Sequence, residues 1–150
     1  MKKILVVICF LIAHTANAQN RENQVKAIVQ RLFTAMKSGD AGLLKSCFTD
    51  SAILQTIAVN RQTGAVSIKQ TPVSDFIGQV KRLPKDSADE RIMFDVVKLD
   101  ANLASVWTPY RFYYGGRFSH CGVHSFQLVK VAGVWKIQSL IDTRRKEDCE

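Results

Sequence analysis

Apolar residues recur at helical spacing near the start of the chain: Val25, Ile28, Val29, Leu32, Phe33 and Met36 share one face, with Lys26, Gln30, Arg31 and Lys37 between them. The spacing predicts an amphipathic helix over 20–38, stopped by Gly39. Asp40 is placed to cap a second, short helix whose apolar face is Leu43, Leu44, Cys47 and Phe48. Strand-like runs at Ala52–Val59 and Ala65–Gln70 flank the loop Asn60–Gly64. Thr71-Pro72 then opens a third helix, Thr71 as cap, with Val73, Phe76, Ile77, Val80 and Leu83 on one face as far as Pro84. From there the pattern turns to strands: Arg91–Leu99, Leu103–Tyr114, Arg117–Val131 and Val134–Thr143, separated by Asp100-Ala101-Asn102, Gly115-Gly116 and Ala132-Gly133. Helices first and an antiparallel meander last predict an α+β fold, with helices on one face of a curved antiparallel sheet.

Ahead of the first helix stand Lys2-Lys3, an apolar run from Ile4 to Ala13, and Ala16-Asn17-Ala18 before Gln19. A basic start, a short apolar stretch and an A-x-A site are the signature of a secretory signal peptide, cut after Ala18. The apolar run is about half of the roughly 20 residues a membrane span needs, so no membrane span is expected. Residues 19–150 then form a single exported domain, periplasmic or extracellular. The formal net charge of the chain is +8, and the protein remains basic after losing Lys2 and Lys3. Its positive charges are scattered, with small clusters at Lys81-Arg82-Lys85 and Arg144-Arg145-Lys146 and no basic stripe interleaved with aromatics, so nucleic acid is not an expected partner. Removal of Cys9 with the leader leaves Cys47, Cys121 and Cys149. That odd set allows one intrachain disulfide, and Cys121 with Cys149 is the expected pair because Cys47 sits among apolar residues as a buried thiol would. The composition, 47% hydrophobic and 23% charged with 8 Gly and 3 Pro, is that of an ordinary globular domain.

The order of elements, together with Ala104-Ser105-Val106-Trp107, the Gly115-Gly116 turn, Phe126-Gln127-Leu128-Val129 and Gly133-Val134-Trp135-Lys136-Ile137, resembles the nuclear transport factor 2-like superfamily. Within it, Ser119-His120-Cys121-Gly122 and Asp142-Thr143-Arg144-Arg145 look like the secreted bacterial SnoaL-like or lumazine-binding-like branch. The resemblance implies a cone-shaped α+β fold with a pocket between helices and concave sheet, and often a homodimer through the outer sheet face. It does not imply one activity, since the same fold serves isomerases, cyclases, dehydratases and binding modules.

Alternation along the strands supplies candidate site residues. The set Tyr110, Phe112 and Tyr114 lies beside Gly122, His120 and Phe118 if the Gly115-Gly116 turn has three residues, whereas a two-residue turn slips the register. If this face is concave, Tyr110, Phe112, His120, His124 and Phe126 line a ligand pocket with apolar walls and a few polar groups. The plainer alternative is that they fill the core. His120 and His124, four residues or about 13 Å apart along a strand, cannot share one metal ion, and nothing in the sequence calls for a metal or other cofactor. For acid–base chemistry His124 is the candidate general base, with Tyr110 donating to a developing oxyanion and Asp142 orienting the histidine. Pairing Phe126 and Leu128 with the Trp135, Ile137, Ile141 face instead sends Asp142 outward, to an ion pair with Arg144 or Arg111. Trp107, Arg111 and Tyr113, on the opposite face of the same strand, are candidate interface residues. The expected function is binding of an apolar or anionic small molecule without catalysis. The alternatives are a SnoaL-like isomerase, cyclase or hydrolase using His124, and a dimeric interaction module.

Overall fold

The computed structural model describes residues 2–60 and 62–149, with side chains from Gln19 onward. The proposed leader lies outside the residues whose side chains are described. Helix α1 (Lys2–Ser38) is followed by α2 (Ala41–Ser46), strands β1 (Phe48–Val59) and β2 (Val66–Thr71), helix α3 (Val73–Arg82), and strands β3 (Ala88–Ile92), β4 (Val96–Asp100), β5 (Leu103–Tyr114), β6 (Arg117–Val131) and β7 (Val134–Thr143).

The helical face read from the sequence is the buried one: Val25, Val29, Leu32 and Phe33 of α1 are almost wholly removed from solvent. Gly39, at φ +70°, ends α1 in the left-handed conformation that glycine adopts without strain. Asp40 Oδ1 then accepts from Leu43 N at 2.8 Å and caps α2. Helix α3 differs by one position. Thr71 closes β2, and the carbonyl of Pro72 accepts from Asp75 N and Phe76 N, both at 3.0 Å.

The strands form one sheet in the order β2-β1-β7-β6-β5-β3, with β4 also paired to β5. It is mixed rather than wholly antiparallel, because β1 and β7 run parallel, Leu54 opposite Leu140. The chain leaves β2 through α3 to the far edge of the sheet. The meander then returns to β1 with β7 running the same way.

The expected strand Arg91–Leu99 is broken into β3 and β4 around Met93-Phe94-Asp95. The break faces Pro109, which has no N–H to give the ladder; Met93 N bonds to its carbonyl at 3.0 Å, and pairing resumes at Val96 with Trp107.

Two register shifts determine what faces inward. The Gly115-Gly116 turn has two residues, both at positive φ, yet Tyr110 still pairs Gly122 and Phe112 pairs His120, because Ser119 is an extra residue on β6. Tyr114 consequently pairs Arg117, not Phe118. On β7 the extra residue is Gln138: Leu128 pairs Ile137, but Gln127 already pairs Ser139. Trp135 and Ile137 face the core as expected. Beyond the bulge the phase changes, so that Leu140 and Asp142 turn inward in place of Ile141.

Candidate functional site

Between α1, α3 and the concave face of the sheet lies a cavity of about 240 Å³. Its walls are mainly apolar, with Leu32, Phe33 and Met36 from α1, Phe76 and Val80 from α3, and Leu54 from β1, interrupted by Gln55, Thr56, Thr71 and Gln79. One end is polar, built from Glu90 on β3, Tyr110 on β5, His120 and His124 on β6, Asp142 at the end of β7 and Arg144 just beyond it.

Gly122 makes room for this end. A Cβ there would stand 1.9 Å from Thr143 O and 2.8 Å from Tyr110 Cε1. The open space lets the Tyr110 ring cross β6, stack on His124 at 4.1 Å and 15°, and donate its hydroxyl proton to Thr143 O at 2.9 Å. Asp142 Oδ2 lies 3.3 Å from the same hydroxyl and accepts from Arg144 Nε at 2.8 Å. Burial, reinforced by the negative charges of Asp142 and Glu90, raises the Tyr110 pKa far above its ordinary value, so it stays protonated.

His124 Nε2 is hydrogen-bonded to Glu90 Oε1, with only 6% and 8% of the two side chains exposed. His124 Nδ1 is buried and has no hydrogen-bond partner among the described residues. His120 meets Ser119 Oγ through Nδ1 at 3.1 Å, and burial, then Arg144, holds its pKa below the usual histidine value.

Tyr110, Phe112, His120 and His124 thus come together on the cavity, while Phe126 lies one pair deeper, fully buried against Phe33, and is not among the lining residues. His124 and Asp142 stand opposite each other across the strands, but their side chains do not bond. The partner of His124 is Glu90, which the sequence reading left just ahead of its first late strand. The signal available was Ala88-x-Glu90-x-Ile92, an alternation that extends that strand backwards. The Asp142–Arg144 ion pair exists, but at the cavity and not on the outer face, because the Gln138 bulge turned Asp142 inward. The Tyr110 hydroxyl, expected to face a developing oxyanion, lies within hydrogen-bond distance of Thr143 O and Asp142 Oδ2.

Trp107, Arg111 and Tyr113 occupy the other sheet face without forming one open patch. Trp107 is 45% exposed. Arg111 donates to Cys149 O, and the Arg91 guanidinium covers the Tyr113 ring at 4.2 Å. Cys121 and Cys149 form a disulfide that, with the Cys121–Arg145 backbone pair, fastens the tail to β6, while Cys47 is a free, buried thiol. Among the described residues no cluster suited to a metal ion occurs, and no helix is long and apolar enough to cross a membrane.

Many solved structures share this fold, three of them as follows. An NTF2-like protein of unknown function from Shewanella baltica matches with a TM-score of 0.68 at 14% identity, over 85% of this chain and 96% of its own. The fold is NTF2-like. A second such protein, from Silicibacter pomeroyi, matches at 0.67 and 16% identity over 85% and 98% of the two chains. A proposed dehydratase of the NTF2-like family from Streptomyces avermitilis matches at 0.63 and 13% identity, again over 85% and 98%. No protein-family model and no curated protein matches the chain. At these identities the likeness establishes the NTF2-like fold and leaves the chemistry to the site.

Proposed function

We propose that this NTF2-like protein is exported after cleavage at Ala18, as a member of the SnoaL-like or lumazine-binding-like secreted branch, and holds a small, mainly apolar molecule in the cavity. The observation that carries the reading is a buried Glu90–His124 pair at the polar end of a mainly apolar cavity of about 240 Å³. Burying a carboxylate and an imidazole is costly, and an open space beside them gives that cost a use. The volume sits below the roughly 300–1,000 Å³ of most ligand pockets, which favours a compact ligand. Glu90 and Asp142 bring negative charge and Arg144 is already paired with Asp142, so the cavity suits a neutral molecule bearing a hydroxyl or N–H better than an anion. Homodimerisation through the sheet face carrying Trp107 belongs to the same proposal.

A second reading, acid–base catalysis, is favoured by the Glu90–His124 hydrogen bond, since a carboxylate held by histidine in apolar surroundings is a means of moving a proton. The elimination of water suggested for the Streptomyces relative is one reaction of that kind.

Native mass spectrometry after incubation with a small-molecule extract of the host tests both. A bound mass is expected on the wild type and lost in Leu140→Trp, which fills the cavity; folding of the variant is checked by circular dichroism. Consumption of one component without a stable adduct, abolished by Glu90→Gln, supports catalysis. Neither an adduct nor turnover would overturn both readings.

A further inference from the structure

The paired register of β6 and β7 stops at His124 with Asp142 and resumes, in the same phase, at Cys121 with Arg145, whose backbones exchange two hydrogen bonds of 2.9 Å. The chain beyond Thr143 therefore continues β7, and alternation returns Arg144 to the concave face that carries Asp142. Between the two pairs Thr143 O accepts from the Tyr110 hydroxyl, and Val123 N donates to Thr143 Oγ1 at 3.2 Å. Residues 144–148 are all exposed. Asp148, at φ +52°, turns the tail back, and Cys149 closes it onto Cys121, whose neighbours in sequence, His120 and Gly122, both belong to the site.

Arg144 is the residue that this fastening delivers. Its Nε donates to Asp142 Oδ2 at 2.8 Å, and its Nη2 reaches Thr56 Oγ1 on β1 at 3.4 Å. Arg144 and Thr56 line both the cavity and the groove between β1 and the tail, so their contact is the partition between the two. Asp142 is 6% exposed and needs a cation, but the Arg144 side chain is 54% exposed, and an ion pair so open to water does little to hold a flexible side chain. A lone backbone pair near an exposed chain end also frays. The disulfide is what keeps the tail, and Arg144 with it, in phase with β6.

We propose that the Cys121–Cys149 disulfide is a positioning element of the ligand site: it seats Arg144 on Asp142 and Thr56 at the cavity edge, so that the site is complete only in the oxidised protein. Closing the bond takes two protons and two electrons from the thiols; an oxidant carrying a disulfide accepts them by exchange and ends as a dithiol. Before that step Glu90 and Asp142 stand at the polar end with no cation seated beside them, and the cavity opens to the groove. After it, one of the two negative charges is neutralised, the state that suits a neutral ligand. The consequence for a ligand rests on the cavity being a binding site. The seating of Arg144 does not.

The test is a pH titration of His120 by NMR in ligand-free protein, its signal identified by its loss in His120→Gln. His120 faces Arg144, Glu90, Asp142, His124 and the Tyr110 ring, and the Arg144 guanidinium opposes its protonation. Arg144→Gln should therefore raise the His120 midpoint. Cys149→Ser should raise it by most of the same amount, and the double variant should go no further than Arg144→Gln alone. Wild type partly reduced by a water-soluble phosphine, which leaves as its oxide, should show both midpoints in one sample, read from signals of folded protein, and return to the lower one with oxidised glutathione. A midpoint unmoved by either single variant, or by the phosphine, would overturn the proposal, as would shifts that add in the double variant. Because no ligand is needed, a cavity that proves empty in the mass-spectrometric test leaves this result readable, and a midpoint indifferent to the disulfide condemns the proposal even in a protein that binds.

Discussion

The two ends of β5, β6 and β7 share a concave face and are built on opposite terms. At one end Ala104, Val106, Phe126, Leu128, Trp135 and Ile137 close on α1 and α2, each 2% exposed or less. At the other end the same strands carry Tyr110, Phe112, His120, His124 and Asp142 around open space. The packed end needs only apolar residues of the right size, and its stability is spread over many contacts. The open end needs particular partners: a glycine under a tyrosine, a glutamate for a histidine, an arginine for an aspartate. The comparison teaches that one sheet separates the two tasks along its strands, with bulges at Ser119 and Gln138 setting which side chains reach the open end.

The largest effect is expected where packing alone acts. Phe126→Ala should cost about 3–5 kcal/mol in urea unfolding, the usual range for emptying a buried aromatic site, and should shift the His124 resonances, whose ring lies 5.5 Å from that of Phe126, while keeping the stack of Tyr110 on His124. A loss below about 1 kcal/mol would contradict full burial of Phe126.

Gly122→Ala should come next. The new methyl meets a backbone oxygen that cannot move aside, and overpacking of this kind costs about 1–3 kcal/mol. Because the Tyr110 ring must also leave, the variant should lose the stacking signature of Tyr110 on His124 in proton NMR, which Phe126→Ala keeps. Unchanged stability would refute the close crossing of Tyr110 over β6.

The smallest effect concerns His120. Its folded pKa lies below the ordinary 6.5, because burial and Arg144 disfavour the imidazolium. As pH falls through that ordinary value the unfolded chain takes up the proton first. The contribution of His120 to stability is therefore complete above about pH 6.5 and declines towards its depressed folded value. Unfolding measured between about pH 7 and pH 5 should show a shallower decline in His120→Phe than in the wild type. Equal slopes would mean that His120 is as well solvated folded as unfolded.

The packed end was legible in the sequence, and so were β5, β6 and β7, whose bounds coincide with the runs read from apolar alternation. The helical stripe, the Asp40 cap and the disulfide were legible because each follows from local spacing or from the set of cysteines, whereas Tyr110, Phe112, His120 and His124 converge through the bulge at Ser119 and not through the three-residue turn that the expectation required. The open end was legible only in part. Leu140-Ile141 offers two adjacent apolar residues, so alternation permits either phase beyond Ile137, and the bulge at Gln138 that chooses Leu140 is an ordinary polar residue with no distinguishing signal. Glu90 was missed because β3 begins three residues ahead of the expected Arg91 and pairs with β5 through the tertiary fold. The break between β3 and β4 did have a local cause, in the missing N–H of Pro109, but the sign stands on the partner strand.

The claim that one end of the sheet is a ligand site and the other a sealed core is tested most directly by mapping bound small molecules through chemical-shift changes. A screen of compact neutral compounds bearing a ring and a hydroxyl or amide should move resonances of Tyr110, Phe112, His120 and Glu90, leave those of Phe126, Leu128 and Ile137 still, and lose its hits in Leu140→Trp. Hits that cluster instead around Trp107 on the convex face, or a cavity end that no compound perturbs, would contradict the account.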